Sequence, residues 1–251
     1  MIVIKSEREI EAMRKAGAIA GAALKVAGAM IQPGVSTRQI DNALRQYLRK
    51  QGAKPSFLGY RGYPASCNTS VNEEVIHGIP GRRTLREGDI VSIDVGAYFE
   101  GFHGDTAATF PVGSVSEEAL RLIEVTRKCF YEGLAHALAG KRISDISAAV
   151  EKYAERNGCA VVRDWTGHGV GRELHEDPEV PNFRDSKRGS ARLLPGMTIA
   201  IEPMITAGGG ETETLRDGWT IVTKDRSLSA HHEHTVLITA GEPELLTVAA
   251  D

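Results

Sequence analysis

Gly88-Asp-Ile-Val-Ser-Ile-Asp94 and Gly196-Met-Thr-Ile-Ala-Ile-Glu202 carry one pattern, Gly-x-x-(Val/Ile)-x-Ile-(Asp/Glu), at an offset of 108 residues. Each reads as an apolar strand that ends on a carboxylate. A second acidic strand follows each copy, His103-Gly-Asp105-Thr in the first half and His231-His-Glu233-His-Thr in the second. Four carboxylates can therefore converge on one point. Bare carboxylates held close together repel and are stable only when protonated or bound to a cation, so the duplication points to metal.

The helices are duplicated as well. Ser6-Glu-Arg-Glu9 is a capping box that opens a helix with apolar positions Ile10, Met13, Gly17, Ala20 and Leu24, ending before Pro33-Gly34. Ser36-Thr-Arg-Gln39 opens a second, with Ile40, Ala43, Leu44, Tyr47 and Leu48 as its buried stripe and Gly52 as its stop. Ile146, Ala149, Val150, Tyr153 and Gly158 repeat that stripe at an offset of 106. Another helix, capped by Ser116, is expected to run to residue 139 and stop at Gly140. The chain thus reads as an internal duplication with halves 1–115 and 116–251, each running helix, helix, strands. One catalytic domain of class α+β is expected, with its site where the halves meet. Residues 89–99 and 102–110 read as a hairpin turning at Glu100-Gly101, which sets Phe99 opposite Phe102 and places Asp94 and Asp105 on one face as diagonal neighbours. The matching acids of the second half are 20 residues further apart, and 208–229 is expected to form an inserted hairpin or lid.

At 251 residues, 41% hydrophobic and 25% charged, the chain is long enough for a substantial core. Its 30 basic and 33 acidic side chains, net charge -3, leave no electrostatic footprint for nucleic acid. Cys67, Cys129 and Cys159 are odd in number and form no Cys-x-x-Cys pair, which predicts buried thiols in a reducing compartment. The first residues lack the order of a signal peptide. The small-residue run 16–31 is interrupted by Lys25 and falls short of the about 20 residues of a membrane span, so it reads as a buried helix. A cytoplasmic protein without membrane association is expected.

Asp94, Asp105, Glu202 and Glu233, with His168 in Thr166-Gly-His-Gly-Val-Gly171, offer oxygen donors and one imidazole. That mixture suits manganese, iron or cobalt better than a thiolate zinc site. Bridging carboxylates make two ions about 3.5 to 4 Å apart feasible, a pair that shares a water and lowers its pKa towards about 7. His77 and His175 lie beside Gly or Pro and are expected on exposed turns or strand edges, from which a hydrolase would donate hydrogen bonds to a scissile carbonyl or its oxyanion. His103, His231, His232 and His234 flank the acids as candidate supporting groups, and His136 reads as structural.

These segments together, with Gly-Arg-Glu-Leu-His175-Glu-Asp-Pro, Asn72 to Pro80 and Asp217-Gly-Trp-Thr220, resemble the type I methionine aminopeptidases of peptidase family M24 in their short bacterial form, over almost the whole chain and in order. The resemblance implies the pita-bread fold, two pseudo-symmetric halves around a curved antiparallel sheet. It implies that Asp94, Asp105, His168, Glu202 and Glu233 bind two divalent ions, with Asp105 and Glu233 bridging; cobalt, manganese, iron and zinc all remain open. It implies that a metal-bridging hydroxide attacks the first peptide bond, removing the initiator methionine from nascent chains when the second residue is small. His77 and His175 would contact the substrate, Glu202 would carry a proton, and Tyr60, Tyr63 and Trp219 would line a methionine pocket. The protein would act as a monomer on N-terminal peptides, with the ribosome a candidate partner. Two positions depart from the family pattern near that pocket: Asn68 stands where many relatives have Cys, and Arg61 where His is frequent.

Two other readings share the fold. One is an Xaa-Pro or small-amide hydrolase, whose members usually carry an additional N-terminal domain. The other is a peptide-binding module without catalysis, which would tend to lose ligands, and none is missing here.

Overall fold

The computed structural model describes residues 1–185 and 189–249. The first half runs α1 (Glu7–Gly28), α2 (Thr37–Lys50), β1 (Lys54–Pro55), β2 (Asn68–Val71), β3 (Glu74–Ile76), β4 (Ile90–Phe99) and β5 (Phe102–Pro111). Then come α3 (Glu117–Leu134), α4 (Ile143–Arg156), β6 (Ala160–Val161), β7 (Thr166–Gly169) and β8 (Glu176–Pro181). The chain finishes with β9 (Thr198–Ile201), β10 (Met204–Thr206), β11 (Thr212–Thr214), β12 (Ile221–Thr223), β13 (Ser229–His231), β14 (Glu233–Leu237) and β15 (Glu244–Leu245).

The capping boxes form as read: the Ser6 amide donates to Glu9 Oε2 at 2.9 Å and the Ser36 amide to Gln39 Oε1 at 2.8 Å. Gly52 and Gly158 close α2 and α4 at φ of 74° and 69°, a region that only glycine enters freely. α3 is shorter than its sequence suggests. It ends at Leu134, where the backbone tightens into short turns, His136 donating to the Gly133 carbonyl at 2.9 Å and Ala137 to that of Leu134 at 2.9 Å, before Gly140 pairs with the Leu193 carbonyl at 2.9 Å.

Nine strands form one sheet along the path β1-β4-β5-β14-β9-β7-β8, with β2 also on β4 and β15 on β14. The β4–β5 hairpin turns at Glu100 and Gly101, both at positive φ, and keeps Phe99 opposite Phe102 through ten antiparallel pairs. The halves are joined by β5 on β14, and β9 lies on the far side of β14. Alternate residues of the strands serve two purposes. Val91, Ile93, Val95 and Ala97 of β4 are buried in a core with α1 and α2, while Ile199, Ile201 and Val236 are buried in a second core with Phe130 and Ile146 of α3 and α4. The acids fall on the other face. All three cysteines are buried and unpaired, and among the described residues no helix is long and apolar enough to cross a membrane.

The small-residue run in α1 has a packing cause. A Cβ on Gly17 would stand 2.2 Å from the Leu246 carbonyl oxygen, one on Gly21 2.2 Å from that of Thr247, and one on Gly104 2.5 Å from the Gly17 Cα. The helix is thus wedged between β5 and the segment 246–249 with backbone against backbone. In an unobstructed helix, Gly→Ala stabilises by about 1 kcal/mol. At Gly17 the clash is with backbone that cannot rotate away, so Gly17→Ala is expected to lower the unfolding free energy by about 1–3 kcal/mol. Urea denaturation reads the sign directly.

Candidate metal centre

Register brings the acids together. Asp94 pairs with Ala107 across β4 and β5, and Ala107 pairs with Glu233 across β5 and β14. His234 pairs with Ile201, and the same register continued by one residue sets Glu202 opposite Glu233. Asp94, Ala107, Glu233 and Glu202 therefore stand in one row across four strands. Asp105 is two residues from Ala107 and shares its face. Ala107, fully buried, is the small side chain in the row that leaves room for the carboxylates on either side.

His168 on β7 faces this row. Its Nδ1 lies 2.8 Å from the Gly169 carbonyl oxygen, which can only accept, so Nδ1 carries the proton and Nε2 presents a lone pair. That Nε2 is 3.5 Å from Glu202 Oε1 and 4.0 Å from Asp105 Oδ2. Burial holds the imidazole neutral by lowering its pKa to about 4.

Burial, followed by the charges of their neighbours, pushes Asp94, Glu202 and Glu233 well above the usual carboxylate range. Burial raises Asp105 to about 7, against a smaller downward pull from the Thr106 backbone. Buried like charges at this spacing are stable only with a compensating cation. The unmatched atoms agree: Asp94 Oδ1, Asp105 Oδ1 and Glu233 Oε1 are buried with no hydrogen-bond partner among the described residues. Ligand atoms of Asp105, His168 and Glu233 lie within 4.8 Å of one another, and so do those of Glu202, His231 and Glu233. An oxygen-rich set with imidazole fits divalent manganese, iron or cobalt, and zinc is chemically compatible. Asn68, at the departure noted above, donates from Nδ2 to Asp94 Oδ2 at 2.6 Å and leaves Oδ1 free to ligate.

Above the acids lies a cavity of about 470 Å³. Phe57, Tyr63 and Leu174 form its apolar wall with Tyr60 and Trp219 packed against them. The Tyr63 and Trp219 rings meet edge to face at 5.0 Å, and the Tyr63 hydroxyl lies within hydrogen-bond reach of the Cys67 and Gly78 carbonyl oxygens. Trp219 comes from the expected inserted hairpin, β11 and β12, which pairs with β3 beside His77. The Asp217 carboxylate accepts from the Trp219 amide at 2.9 Å and fixes the turn.

His77 is half-buried rather than exposed, because the hairpin and Trp165 cover it; its ring meets Trp165 edge-on at 5.2 Å and Trp219 at 6.3 Å. Burial lowers its pKa to about 4. His175 is exposed as expected, stacked on Tyr60 at 5.1 Å with its centroid 4.0 Å from that of His168. Burial, then His168 and Arg61, lower its pKa to about 2. Arg61 itself lies over the Tyr60 ring at 5.4 Å. Both site imidazoles are therefore neutral and can donate one N–H without carrying charge.

Of the four histidines flanking the acids, only His231 reaches a carboxylate, its Nε2 3.5 Å from Glu202 Oε2. His103 bonds Ser56 at 2.9 Å, while His232 and His234 lie against Phe130 on the helix side, His234 by strand alternation from Glu233. His136 is structural as read, held by Lys141 at 2.9 Å. The sequence reading passed over Phe57, Trp165, Leu174 and Ala107. Leu174 adjoins His175 within the quoted motif, whereas Ala107 bears no chemical group to notice.

A two-sided arrangement of this kind, candidate cation ligands on the floor and an apolar slot above, defines a metal-dependent hydrolase on the α+β pita-bread fold. The chain belongs to metallopeptidase family M24, whose model matches residues 11–240. It is 50% identical to a methionine aminopeptidase of Clostridium perfringens over 99% of both chains. It superposes on the crystal structure of a Thermotoga maritima methionine aminopeptidase with a TM-score of 0.96 at 43% identity, covering 99% of this chain and 100% of that one. A prolidase from Pyrococcus furiosus shares the fold at a TM-score of 0.77 and 25% identity, covering 99% of this chain and 66% of that one.

Two substitutions test the centre. Asp105→Asn should weaken Mn²⁺ binding by at least about 100-fold, beyond the 10–100-fold typical of groups that only support a ligand. Ala107→Leu should also weaken it, although no ligand is removed, because the row can no longer close. Calorimetric titration of metal-depleted protein measures both.

Proposed function

We propose that this protein is a dinuclear-metal methionyl aminopeptidase that removes the initiator methionine from nascent polypeptides. The whole chain acts as one catalytic unit, as a cytoplasmic monomer meeting its substrates as they leave the ribosome. The observation that carries the reading is a four-acid, one-imidazole floor beneath an apolar slot, with two neutral histidines at the boundary between them.

The ligand set is Asp94, Asp105, His168, Glu202 and Glu233, and the divalent ions it holds supply Lewis acidity and an activated water. The protein's own groups do the rest. Phe57, Tyr60, Tyr63, Leu174 and Trp219 enclose an unbranched thioether side chain, to which polarisable sulfur against aromatic edges is well suited. A free α-amino group lies over the acidic floor, which favours cleavage at the chain end. His175 and His77 donate hydrogen bonds to the scissile carbonyl and amide, steadying the charge that develops on oxygen. Glu202, between the floor and His168, takes a proton from the attacking water and returns it to the leaving amine. A preference for a small second residue belongs to the same reading and calls for a cramped subsite beyond the scissile bond.

Metal-loaded protein is expected to cleave Met-Ala-Ser and to leave its N-acetylated form intact, since acetylation removes the positive amine; turnover followed by chromatography decides. Cleavage of Xaa-Pro peptides in place of Met-Ala-Ser would assign the prolidase-like activity instead, and no turnover with metal bound would leave a binding module. Trp219→Ala, which opens the slot without touching the floor, is expected to raise KM about 10-fold or more, in line with about 1.5–3 kcal/mol for a buried apolar contact.

A further inference from the structure

His231 stands apart from the other flanking histidines. It is 2% exposed, and its Nε2 is buried without a hydrogen-bond partner while facing Glu202 Oε2 at 3.5 Å. The other oxygen of that carboxylate, Oε1, faces His168 Nε2 at the same 3.5 Å. One carboxylate is thus flanked by two imidazoles, one at each oxygen. His168 presents a lone pair, as its bond to the Gly169 carbonyl requires.

The backbone that carries the ring is held firmly. The His231 amide donates to Thr109 Oγ1 at 2.8 Å, the Thr109 hydroxyl donates to the His231 carbonyl at 2.9 Å, and the Ser92 hydroxyl, 2.8 Å away, completes the set by donating to Thr109. Across β10 and β13, His231 pairs directly with Met204, two residues beyond Glu202. The backbone carrying the imidazole and the backbone carrying the carboxylate are therefore locked in one register. The terminal torsion of Glu202 is soft, so a small rotation brings Oε2 within hydrogen-bond distance of a donor whose backbone is fixed.

On the reading that this floor binds divalent ions, we infer that His231 is a positioning residue for Glu202: it donates Nε2–H to Oε2 and so leaves Oε1, on the His168 side, as the oxygen directed at the cation. A ligating carboxylate that is hydrogen-bonded on its outer oxygen is oriented before the ion arrives, and loss of such a partner typically costs 10–100-fold in metal affinity. The same fixed orientation serves proton transfer by Glu202, because the carboxylate is then held in one place relative to the attacking water.

Calorimetric titration of metal-depleted protein with Mn²⁺ tests the assignment without requiring turnover, so it fails or succeeds separately from the proposed peptidase activity. His231→Leu, which removes the donor, is expected to weaken binding about 10–100-fold. His231→Gln, which keeps an N–H donor, is expected to bind closer to wild type than to the leucine variant. In Mn²⁺-saturated enzyme His231→Leu should lower kcat on Met-Ala-Ser while KM holds. A crystal structure of the Mn²⁺-loaded wild type should place His231 Nε2 on Glu202 Oε2 and away from the ion. Wild-type Mn²⁺ affinity in His231→Leu would overturn the inference, as would a glutamine variant as weak as the leucine one. His231 Nε2 bonded to the ion in that crystal structure would also overturn it, by making His231 a ligand. Should the leucine variant not fold, the glutamine affinity and the metal-loaded structure still decide.

Discussion

Mutual repulsion of buried carboxylates is the constraint on which the arrangement depends. Moving one ionised carboxylate out of water costs several kcal/mol even after relaxation. Four of them on one sheet face would spread or protonate unless cations held them, and burial already drives Asp94, Glu202 and Glu233 towards the neutral form. Neither half of the chain supplies more than two of the acids, so the joint between β5 and β14 determines whether a centre exists. That joint is tied by side chains as well as by the ladder. The Thr106 hydroxyl donates to the Glu233 carbonyl at 2.7 Å, and Thr235 Oγ1 accepts from the Asp105 amide at 3.0 Å while donating to the Asp105 carbonyl at 2.9 Å. Satisfied buried bonds of this kind specify one register and resist slippage.

The cost is offset on the opposite face of the same strands. Residues alternate, so each strand that carries an acid also carries apolar side chains into a helix-covered core: Val91, Ile93 and Val95 beside Asp94, Ile199 and Ile201 beside Glu202. Each fully buried side chain of this size contributes about 1.5–3 kcal/mol. The helices therefore hold the sheet rigid from behind while its front carries charge. Wedging α1 against β5 at Gly17 and Gly104 brings that support within one residue of Asp105.

What the sequence made legible follows from periodicity. The hairpin register, the diagonal placement of Asp94 and Asp105, the caps of α1 and α2 and the inserted hairpin all depend on local spacing and turn chemistry, which a single strand of text preserves. The errors came from tertiary cover. His77 looked exposed because Gly and Pro follow it, yet Trp165 and Trp219 arrive from distant segments and bury it. His103, His232 and His234 looked like partners of the acids because they adjoin them in sequence. Adjacency along a strand in fact turns His234 to the helix side, and Ser56 takes up His103. α3 stops early for a local reason, its end tightening into turns at His136 and Ala137 before residues 140–143 pair with 191–193. Ala107 was invisible because its contribution is the absence of bulk.

The two sides of the site also differ in how they are built. The candidate ligands Asp94, Asp105, His168, Glu202 and Glu233 project from strands or strand ends whose register is fixed by neighbours, so a change at any one of them disturbs the others. The slot above is assembled from loops and hairpin tips: Phe57, Tyr60 and Tyr63 from residues 57–63, Leu174 from the turn before β8, and Trp219 from the β11–β12 hairpin. Residues on such segments can be exchanged without moving the floor. Hydrolysis and side-chain preference are thereby separated in the structure, which accounts physically for a fold shared, at 25% identity, with a prolidase. Asn68 lies on the boundary between the two, since it borders the slot and also bonds the Asp94 carboxylate. A departure from the family pattern at that position acts on substrate fit and on ligand orientation at once, whereas Arg61, stacked over Tyr60 on the rim, acts on the slot and, through its charge, on His175.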